Sequence, residues 1–207
     1  MRLAVIGTGN IGSTIGRRWL EHGHTVTYGA RDESAASSRP LPDRADVASI
    51  PAAVRNAEAT LIAIPGGAVE SLLETQAPVL DGQLLLDASN DVSGGAFHHL
   101  PAFEARLPAA RVYRAFNTLG WENFAQPMID GQQADLFYAG PQTDDRQVVE
   151  RLIADVGLRP VYVGHGVAGA DLLDGMTRLW FALAAGQGFG RRTAFKILSL
   201  SSTVEPE

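Results

Sequence analysis

Short apolar runs alternate along this chain with segments of helical spacing. The runs that are typical of buried strands are 2–6, 24–28, 60–64, 84–87, 112–116, 134–139 and 160–163. Segments 69–76 and 144–156, together with the stretch after Ser93, have the pattern of helices. Because the early runs are apolar on both faces, they predict a mostly parallel sheet with helices on both sides, an α/β doubly wound fold.

A longer helical pattern extends from about Ala168 to Ala185. One apolar stripe in it has the spacing four, three, four and comprises Leu172, Met176, Leu179 and Leu183. Such a stripe favours packing in the core, with a dimer seam as the alternative. On another face, Asp174 and Arg178 are spaced to pair across one turn.

Two domains follow from these patterns. We predict a nucleotide-binding domain over 1–165 and a small helical carboxyl-terminal segment over 166–207, which completes a substrate cleft or a dimer interface. We expect the stretch from Ser34 to Pro42, which is rich in Ser, Ala and Pro, to be a surface loop, and the chain end from Ser199 to Glu207 to be frayed.

The chain begins with a strand, a glycine turn and a helix. The strand pattern Arg2–Ile6 is followed at once by Gly7-Thr8-Gly9-Asn10-Ile11-Gly12, which has the spacing G-x-G-x-x-G. In this context the motif predicts a dinucleotide site of the Rossmann type. The first glycine permits the turn, the second lets a pyrophosphate approach, and the third lets the helix pack on the sheet. The free N–H groups of the helix would face the phosphates, so we assign all six residues to cofactor binding.

The end of the second strand predicts which dinucleotide is bound. NAD sites usually carry Asp or Glu there, whereas this chain has Gly29 and, two residues later, Arg31. A guanidinium would hold a 2′-phosphate with parallel hydrogen bonds, so we predict NADP(H), with Thr8 as a further hydroxyl donor. In the alternative interpretation, Arg31 is an ordinary surface charge and Asp32 is a displaced ribose-binding acid.

Three later loops complete the predicted site, because ligands of open α/β sheets lie at the carboxyl ends of the strands. We assign Ile64, Pro65, Ser89 and Asn90 to cofactor binding. We place Asn117 and Thr118 beside the reacting rings as the catalytic pair. Each of these residues has an alternative interpretation as a simple turn residue.

No general acid or base is evident in the sequence. The chain contains no Tyr-x-x-x-Lys pair and no HExxH motif, and His98 and His99 are adjacent, which makes them polar loop residues rather than a metal pair. We therefore predict no metal. Hydride passage between two heterocycles needs alignment and exclusion of water more than a proton donor, so the missing acid favours a small-molecule redox acceptor of that kind.

Charge and composition exclude several classes of partner. The net charge of −6 over 207 residues argues against nucleic acid and against an anionic membrane. Because the sequence shows no secretory signal or membrane-length apolar run, we expect a cytoplasmic location. The absence of cysteine excludes disulfides and thiol catalysis. Arg191, Arg192 and Lys196 form a basic cluster, interpreted as a solvated helix end or as a docking place for an anionic substrate tail.

These residues resemble a known family. The opening segment 1–12, the strand end 28–31, Ile64-Pro65, segment 114–118 and the closing segment 188–198 resemble the NADPH-dependent coenzyme F420 reductases. The cytoplasmic domain of the STEAP metalloreductases is similar. The resemblance implies a Rossmann NADP domain, frequent dimers, and hydride transfer from NADPH to a deazaflavin (F420) or a flavin. Two positions depart from the family: Ala30 replaces a serine, and Asn117 replaces a histidine.

Two other functions remain open. The first is an NADPH-dependent reductase of a small imine or carbonyl, for which Tyr138, Asp91 or His165 would be the proton donor. The second is a non-enzymatic NADP-sensing module whose carboxyl-terminal helix meets a partner. We expect the protein to be a homodimer.

Overall fold

The computed structural model describes residues 1–199, so residues 200–207, which make up most of the predicted frayed end, lie outside the described residues. The main sheet has six parallel strands in the order β3-β2-β1-β4-β5-β6. The strands are β1 (Arg2–Ile6), β2 (Thr25–Ala30), β3 (Asp46–Ser49), β4 (Ala59–Ile62), β5 (Leu84–Asp87) and β6 (Arg111–Arg114).

Helices cover both faces of this sheet. They are α1 (Asn10–Glu21), α2 (Glu33–Ser37), α3 (Ile50–Arg55), α4 (Val69–Leu80), α5 (Leu100–Arg106), α6 (Trp121–Ala125), α7 (Asp145–Val156) and α8 (Gly166–Phe181). A 3₁₀ turn (Gly66–Ala68) precedes α4, and a π turn (Ala182–Gly186) follows α8.

The two faces of β1 explain this arrangement. Leu3 and Val5 join the hydrophobic cluster that contains α1, whereas Ala4 and Ile6 join the cluster that contains α3 and α4. β1 pairs in parallel with β2 and β4 and is apolar on both faces. Helices therefore have to cover the sheet on both sides, as in other parallel sheets. The predicted doubly wound α/β fold is confirmed.

A smaller unit continues the sheet edge. The strands β9 (Asp135–Tyr138) and β10 (Arg159–Tyr162) pair in parallel, and a single antiparallel bridge from Ala139 to Arg114 joins them to β6. A short hairpin of β7 (Met128–Ile129) and β8 (Gln132–Gln133) precedes them. Among residues 1–199, no helix combines the length and the apolar character that crossing a membrane demands.

The sequence patterns missed the short elements at the edge. The stretch from Ser34 to Pro42, predicted as a surface loop, contains most of α2, and neither β3 nor α3 was predicted. β3 is an edge strand of four residues without a fully buried side chain, so its pattern carries little hydrophobic signal. The helix expected after Ser93 begins only at Leu100.

The packing of α8 contradicts the core interpretation of its apolar stripe. Leu172 and Leu179 are 58% and 50% exposed, whereas the buried side carries Leu173, Thr177 and Trp180. The interpretation as core packing is therefore wrong for this stripe, and the dimer seam stays a prediction. The buried face carries both apolar side chains and Asp174, which bonds to the sheet through Arg114.

The predicted pair of Asp174 and Arg178 is also wrong. Asp174 is buried and bonds Arg114 at 2.8 Å. Arg178 instead donates to the carbonyl oxygen of Gly95 at 2.5 Å and lies over the ring of Phe97. Tertiary partners therefore take precedence over the one-turn spacing.

Candidate functional site

The glycine turn after β1 is shaped by two close backbone approaches. Gly7 has φ +118°, and a Cβ there would overlap the carbonyl oxygen of Ala63. A Cβ on Gly12 would overlap the carbonyl oxygen of Gly7, so α1 lies tight against the turn. Both positions therefore require glycine.

The amino terminus of α1 is open. Gly9 is its N-cap, no side chain caps it, and its first turn carries no acidic residue. A Cβ built on Gly9 would have no atom within 4 Å. The first N–H groups of this helix therefore face free space, which suits an anionic group.

A groove of about 430 Å³ crosses the carboxyl ends of β1, β2 and β4. The sequence-predicted residues that line it are Gly7, Thr8, Gly9, Arg31, Ile64 and Pro65. Three others of the motif do not line it: Asn10 is the exposed first residue of α1, Ile11 packs partly against the core, and Gly12 is buried. The dimensions and the open helix end fit the adenosine and pyrophosphate parts of a dinucleotide.

Near the end of β2, a side chain at the position of Gly29 would be crowded by α3. A Cβ on Gly29 would already lie 3.2 Å from the Cα of Ile50 in α3. Asp32, the alternative ribose-binding acid, accepts a hydrogen bond from the N–H of Ala35 at 3.0 Å and caps α2. The acid near this strand end thus has a structural partner.

Two arginines flank the groove at this end. Arg31 and Arg39 both line it, and within residues 1–199 neither guanidinium makes a salt bridge. Sequence reasoning missed Arg39 because it lies in the stretch predicted as a loop, and α2 brings it back to the groove. The signal available in the sequence was a second arginine soon after Arg31, behind the nucleotide motif.

The side chains after β5 and β6 form a buried network instead of lining the groove. Ser89 donates through its backbone N–H (2.9 Å) and its hydroxyl (2.5 Å) to Oδ1 of Asp87. Arg114 donates to Oδ2 of Asp87 at 3.0 Å and to Oδ1 of Asn90 at 2.8 Å. The side-chain hydrogen bonds of Ser89 and Asn90 are therefore made within the protein.

The predicted catalytic pair lies in the same buried region. Nδ2 of Asn117 donates to Oγ1 of Thr177 at 3.2 Å, and its backbone oxygen accepts from Nδ2 of Asn90 at 2.8 Å. Oδ1 of Asn117 and Oγ1 of Thr118 are buried without a hydrogen-bond partner in the described chain. The structure brings Asn90 and Asn117 together, and the catalytic roles of Asn117 and Thr118 stay predictions.

His98 differs from its predicted role as a polar loop residue, because it is buried. Its Nδ1 accepts from the N–H of Leu100, so Nε2 carries the proton toward Asp171 at 3.2 Å. His98, Asp171 and Asp174 are close enough to hold a metal ion. Asp174 already accepts three hydrogen bonds, however, and a metal on Nε2 would cost His98 the bond from Leu100.

The three proposed proton donors lie apart. The hydroxyl of Tyr138 is held by Glu150 and Arg146, and burial, reinforced by Glu150, raises the pKa of Tyr138 above its usual range. Hydrogen bonds from Ser93 lower the pKa of Asp91. His165 is exposed and borders a separate cleft of about 370 Å³ beside α5. None of the three lines the groove.

The basic cluster holds the carboxyl-terminal segment in place. Arg191 pairs with Glu122, and Arg192 donates to Oε1 of Gln126 at 2.6 Å. Lys196 donates to the backbone oxygen of Gln133 at 2.8 Å. Each cation has a protein acceptor although all three residues are exposed, and the docking of an anionic substrate tail stays a prediction.

Comparisons with known proteins agree with this geometry. Residues 2–91 match the family model described as NADP oxidoreductase coenzyme F420-dependent. A crystal structure from Arthrobacter sp. FB24, provisionally assigned as an F420-dependent NADP-reductase, matches 96% of this chain and 100% of its own at 23% identity and a TM-score of 0.84. A reductive aminase from Aspergillus terreus in complex with NADPH matches 89% of this chain and 62% of its own at 24% identity and a TM-score of 0.71.

The curated proteins that match this chain in sequence are longer than the chain. Glycerol-3-phosphate dehydrogenase [NAD(P)+] of Azotobacter vinelandii is 22% identical over 95% of this chain but 62% of its own length. The chain therefore spans about three fifths of the length of the curated relatives it matches. The structural matches below 25% identity show the fold. The predicted resemblance to F420-dependent NADP oxidoreductases is confirmed over residues 2–91, and the chain is similar in sequence to curated NAD(P)-dependent dehydrogenases.

Proposed function

We propose that this protein is an oxidoreductase that binds NADP(H) along the groove at the carboxyl ends of β1, β2 and β4. The observation that carries the proposal is the open amino terminus of α1, where Gly9 leaves free space for a pyrophosphate. In this arrangement Thr8 and the N–H groups of the first helical turn hold the phosphates. Ile64 and Pro65 form the opposite wall of the groove.

The 2′-phosphate of the cofactor lies between Arg31 and Arg39 in this proposal. Both guanidinium groups line the groove, and a side chain at Gly29, where we expect the acid of an NAD site, would be crowded by Ile50. Asp32 keeps its role as the cap of α2. Asp32 also lines the groove, but its Oδ1 is engaged by the N–H of Ala35, so the two cations beside it favour NADPH over NADH.

We further propose that the acceptor is a deazaflavin such as F420, or a flavin. Bound NADPH supplies a hydride from its nicotinamide ring. Among the described residues that line the groove there is no histidine, lysine, tyrosine or glutamate, and the carboxylate of Asp32 caps α2 at the end beside Arg31. Two heterocycles that exchange hydride need parallel alignment rather than a proton donor, which agrees with the family model over residues 2–91.

Anaerobic mixing of the purified protein with NADPH and oxidised F420, followed by the deazaflavin absorbance, tests the acceptor. We expect bleaching that depends on the protein and is faster with NADPH than with NADH. Bleaching of FMN or FAD alone would assign the acceptor to flavins. Binding of NADPH without reaction of any of these acceptors would contradict the acceptor proposal and leave the NADP(H) site standing.

Reduction of a small imine or carbonyl is the second candidate, because the fold matches a reductive aminase solved with NADPH. It needs a proton donor near the nicotinamide, and Tyr138 is already held by Glu150 and Arg146. A solvent isotope effect on turnover with a cyclic imine would favour this reaction. Tight NADPH binding without turnover on any acceptor would favour the sensing module.

We also propose that the exposed stripe of α8 is the interface of a homodimer. Leu172 and Leu179 are half exposed, and Met176 lies partly buried between them on the same side. Gly175 is exposed, with no atom within 4 Å of a built Cβ, so a second helix can approach closely there. A stripe with the spacing four, three, four is typical of helices that pack against each other.

A further inference from the structure

The helix α8 is joined to the sheet through a buried arginine. Arg114, which is 3% exposed, donates from one terminal nitrogen to Asp87 and to the backbone oxygen of Ser89. Its other terminal nitrogen donates to Oδ1 of Asn90 and to Oδ1 of Asp174, both at 2.8 Å. A guanidinium has two N–H groups on each terminal nitrogen, so all four are engaged and its orientation is fixed.

The other oxygen of Asp174 holds the loop that follows Asn90. Its Oδ2 accepts from the N–H groups of Phe97 at 2.6 Å and of His98 at 3.2 Å. Asp171 and Arg178 contact the same loop from the exposed side of α8, through His98 and through the carbonyl oxygen of Gly95. Segment 88–98 is thus attached to α8 at several points.

This loop lies beside the proposed groove. The N–H of Gly66 donates to the backbone oxygen of Asn90 at 3.2 Å, and a Cβ on Gly66 would lie 2.5 Å from the backbone of Asn90. Gly66 directly follows Pro65, which lines the groove. Since β4 and β5 lie on the side of β1 opposite to β2, the loop is at the end of the groove away from Arg31.

We propose that Arg114 and Asp174 are positioning residues for the nicotinamide end of the cofactor. They fix Asn90 with Oδ1 toward Arg114 and Nδ2 toward the backbone oxygen of Asn117, and so hold the loop against the groove. They do not line the groove where the 2′-phosphate and pyrophosphate lie. The inference rests on the proposed NADP(H) site.

Binding of two ligands to the full chain with Asp174→Asn tests this role. In the proposed site NADP+ fills the groove and extends beyond it to the loop, whereas 2′,5′-ADP fills only the end of the groove beside Arg31. We expect the Kd of NADP+ to rise about tenfold, the size expected when a hydrogen bond to a charged group is lost, and that of 2′,5′-ADP to stay within about twofold. A role in stability alone would not separate the two ligands.

Arg146→Met is the matched control, because Arg146 is also paired with a carboxylate but lies far from the loop, between Glu150 and Tyr138. It should leave both Kd values unchanged. Arg178→Ala removes only contacts from the exposed side of α8 and is the second variant if Asp174→Asn does not fold. We expect it to separate the two ligands in the same direction by a smaller factor.

Three results would overturn the inference, and they identify different failures. Equal weakening of both ligands would mean general loosening of the fold, and unchanged Kd values in a folded Asp174→Asn protein would mean that the loop does not position the cofactor. If the wild-type chain bound neither ligand, the proposed NADP(H) site itself would fail, and the positioning role with it.

Discussion

Polar residues at the carboxyl ends of β1 and β2 differ in exposure and in bonding from those at the carboxyl ends of β5 and β6. At the ends of β1 and β2, Arg31 and Arg39 are exposed beside an open helix terminus. At the ends of β5 and β6, Asp87 and Arg114 are buried and bonded to each other. Arg31, Asp87 and Arg114 each end or directly follow an apolar strand. Whether such a residue binds a ligand or holds the architecture therefore depends on what the fold places opposite it.

The largest expected effect separates two glycines of the same motif. Gly12→Ala should lower the free energy of unfolding by about 3 kcal/mol, because its methyl group must displace the backbone of Gly7. Gly9→Ala should leave the free energy of unfolding within about 0.5 kcal/mol of the wild-type value. Its methyl group would enter the space for the pyrophosphate, so NADPH binding should be lost. Chemical denaturation and NADPH titration measure both.

The distinction between Gly9 and Gly12 would be wrong if both alanine variants had the same free energy of unfolding and the same affinity for NADPH. Equal destabilisation would show that the space above Gly9 is not free in the folded chain. A stable Gly9→Ala protein that binds NADPH normally would move the pyrophosphate away from the amino terminus of α1.

The next effect concerns the two arginines. Arg31→Ala should weaken NADPH binding by about 1.5–3 kcal/mol, which is roughly a 10- to 100-fold rise in Kd, and leave NADH binding nearly unchanged. Arg39→Ala should act in the same direction by a smaller factor, because its side chain enters from the more distant end of α2. Isothermal titration of each variant with NADPH and NADH measures the difference.

Arg17→Ala is a suitable control, since Arg17 is an exposed arginine of α1 that lies outside the groove. It should not change the preference for NADPH. If Arg31→Ala weakened both cofactors equally, the 2′-phosphate would lie elsewhere.

The groove could be predicted from the sequence because its signals are local. The glycine spacing, the strand before it and the helix after it lie within the first 21 residues, and Arg31 follows the next strand directly. Each of these features depends on residues that are neighbours in the chain. Arg39 could not be assigned to the groove from the sequence, because α2, which precedes it, is a short helix without an apolar face of its own.

The network could not be predicted, because its partners are far apart in the sequence. Arg114 and Asp174 are separated by 60 positions, and Phe97 and Asp174 by 77. An aspartate in a helix is expected on the exposed side, and a leucine stripe is expected on the buried side. In α8 the face that carries Asp174, together with Leu173 and Trp180, meets the sheet, and Leu172 and Leu179 lie outside.

Substitutions in the exposed stripe of α8 should have a smaller effect, which depends on the proposed dimer. Leu172→Lys and Leu179→Lys should raise the dimer dissociation constant at least about tenfold, because each lysine opposes burial of the stripe. The monomer should remain folded, since neither side chain contributes to the core. Sedimentation equilibrium over a range of concentrations measures the change. A wild-type protein that stays monomeric at high concentration would contradict the dimer.

The smallest effect at neutral pH concerns the attachment of the carboxyl-terminal segment. Asp135 accepts hydrogen bonds from Arg159 (2.5 and 2.7 Å) and from the N–H of Ile197 (2.7 Å), and Lys196 lies 3.4 Å away. Burial alone would raise the pKa of Asp135, but these bonds and charges outweigh burial and lower it.

Because the folded-state pKa of Asp135 lies below its unfolded value, its contribution is complete above about pH 4 and is lost as the pH falls through the folded-state pKa. Hydrogen exchange of the Ile197 amide should therefore show protection at pH 7 that declines only below about pH 4, after correction for intrinsic exchange. Asp135→Asn removes the titrating group and should make the protection independent of pH in this range. If wild-type and Asp135→Asn proteins lost protection at the same pH, other carboxylates would control the segment. The contrast between an open groove and bonded polar groups would then need another explanation at this end of the chain.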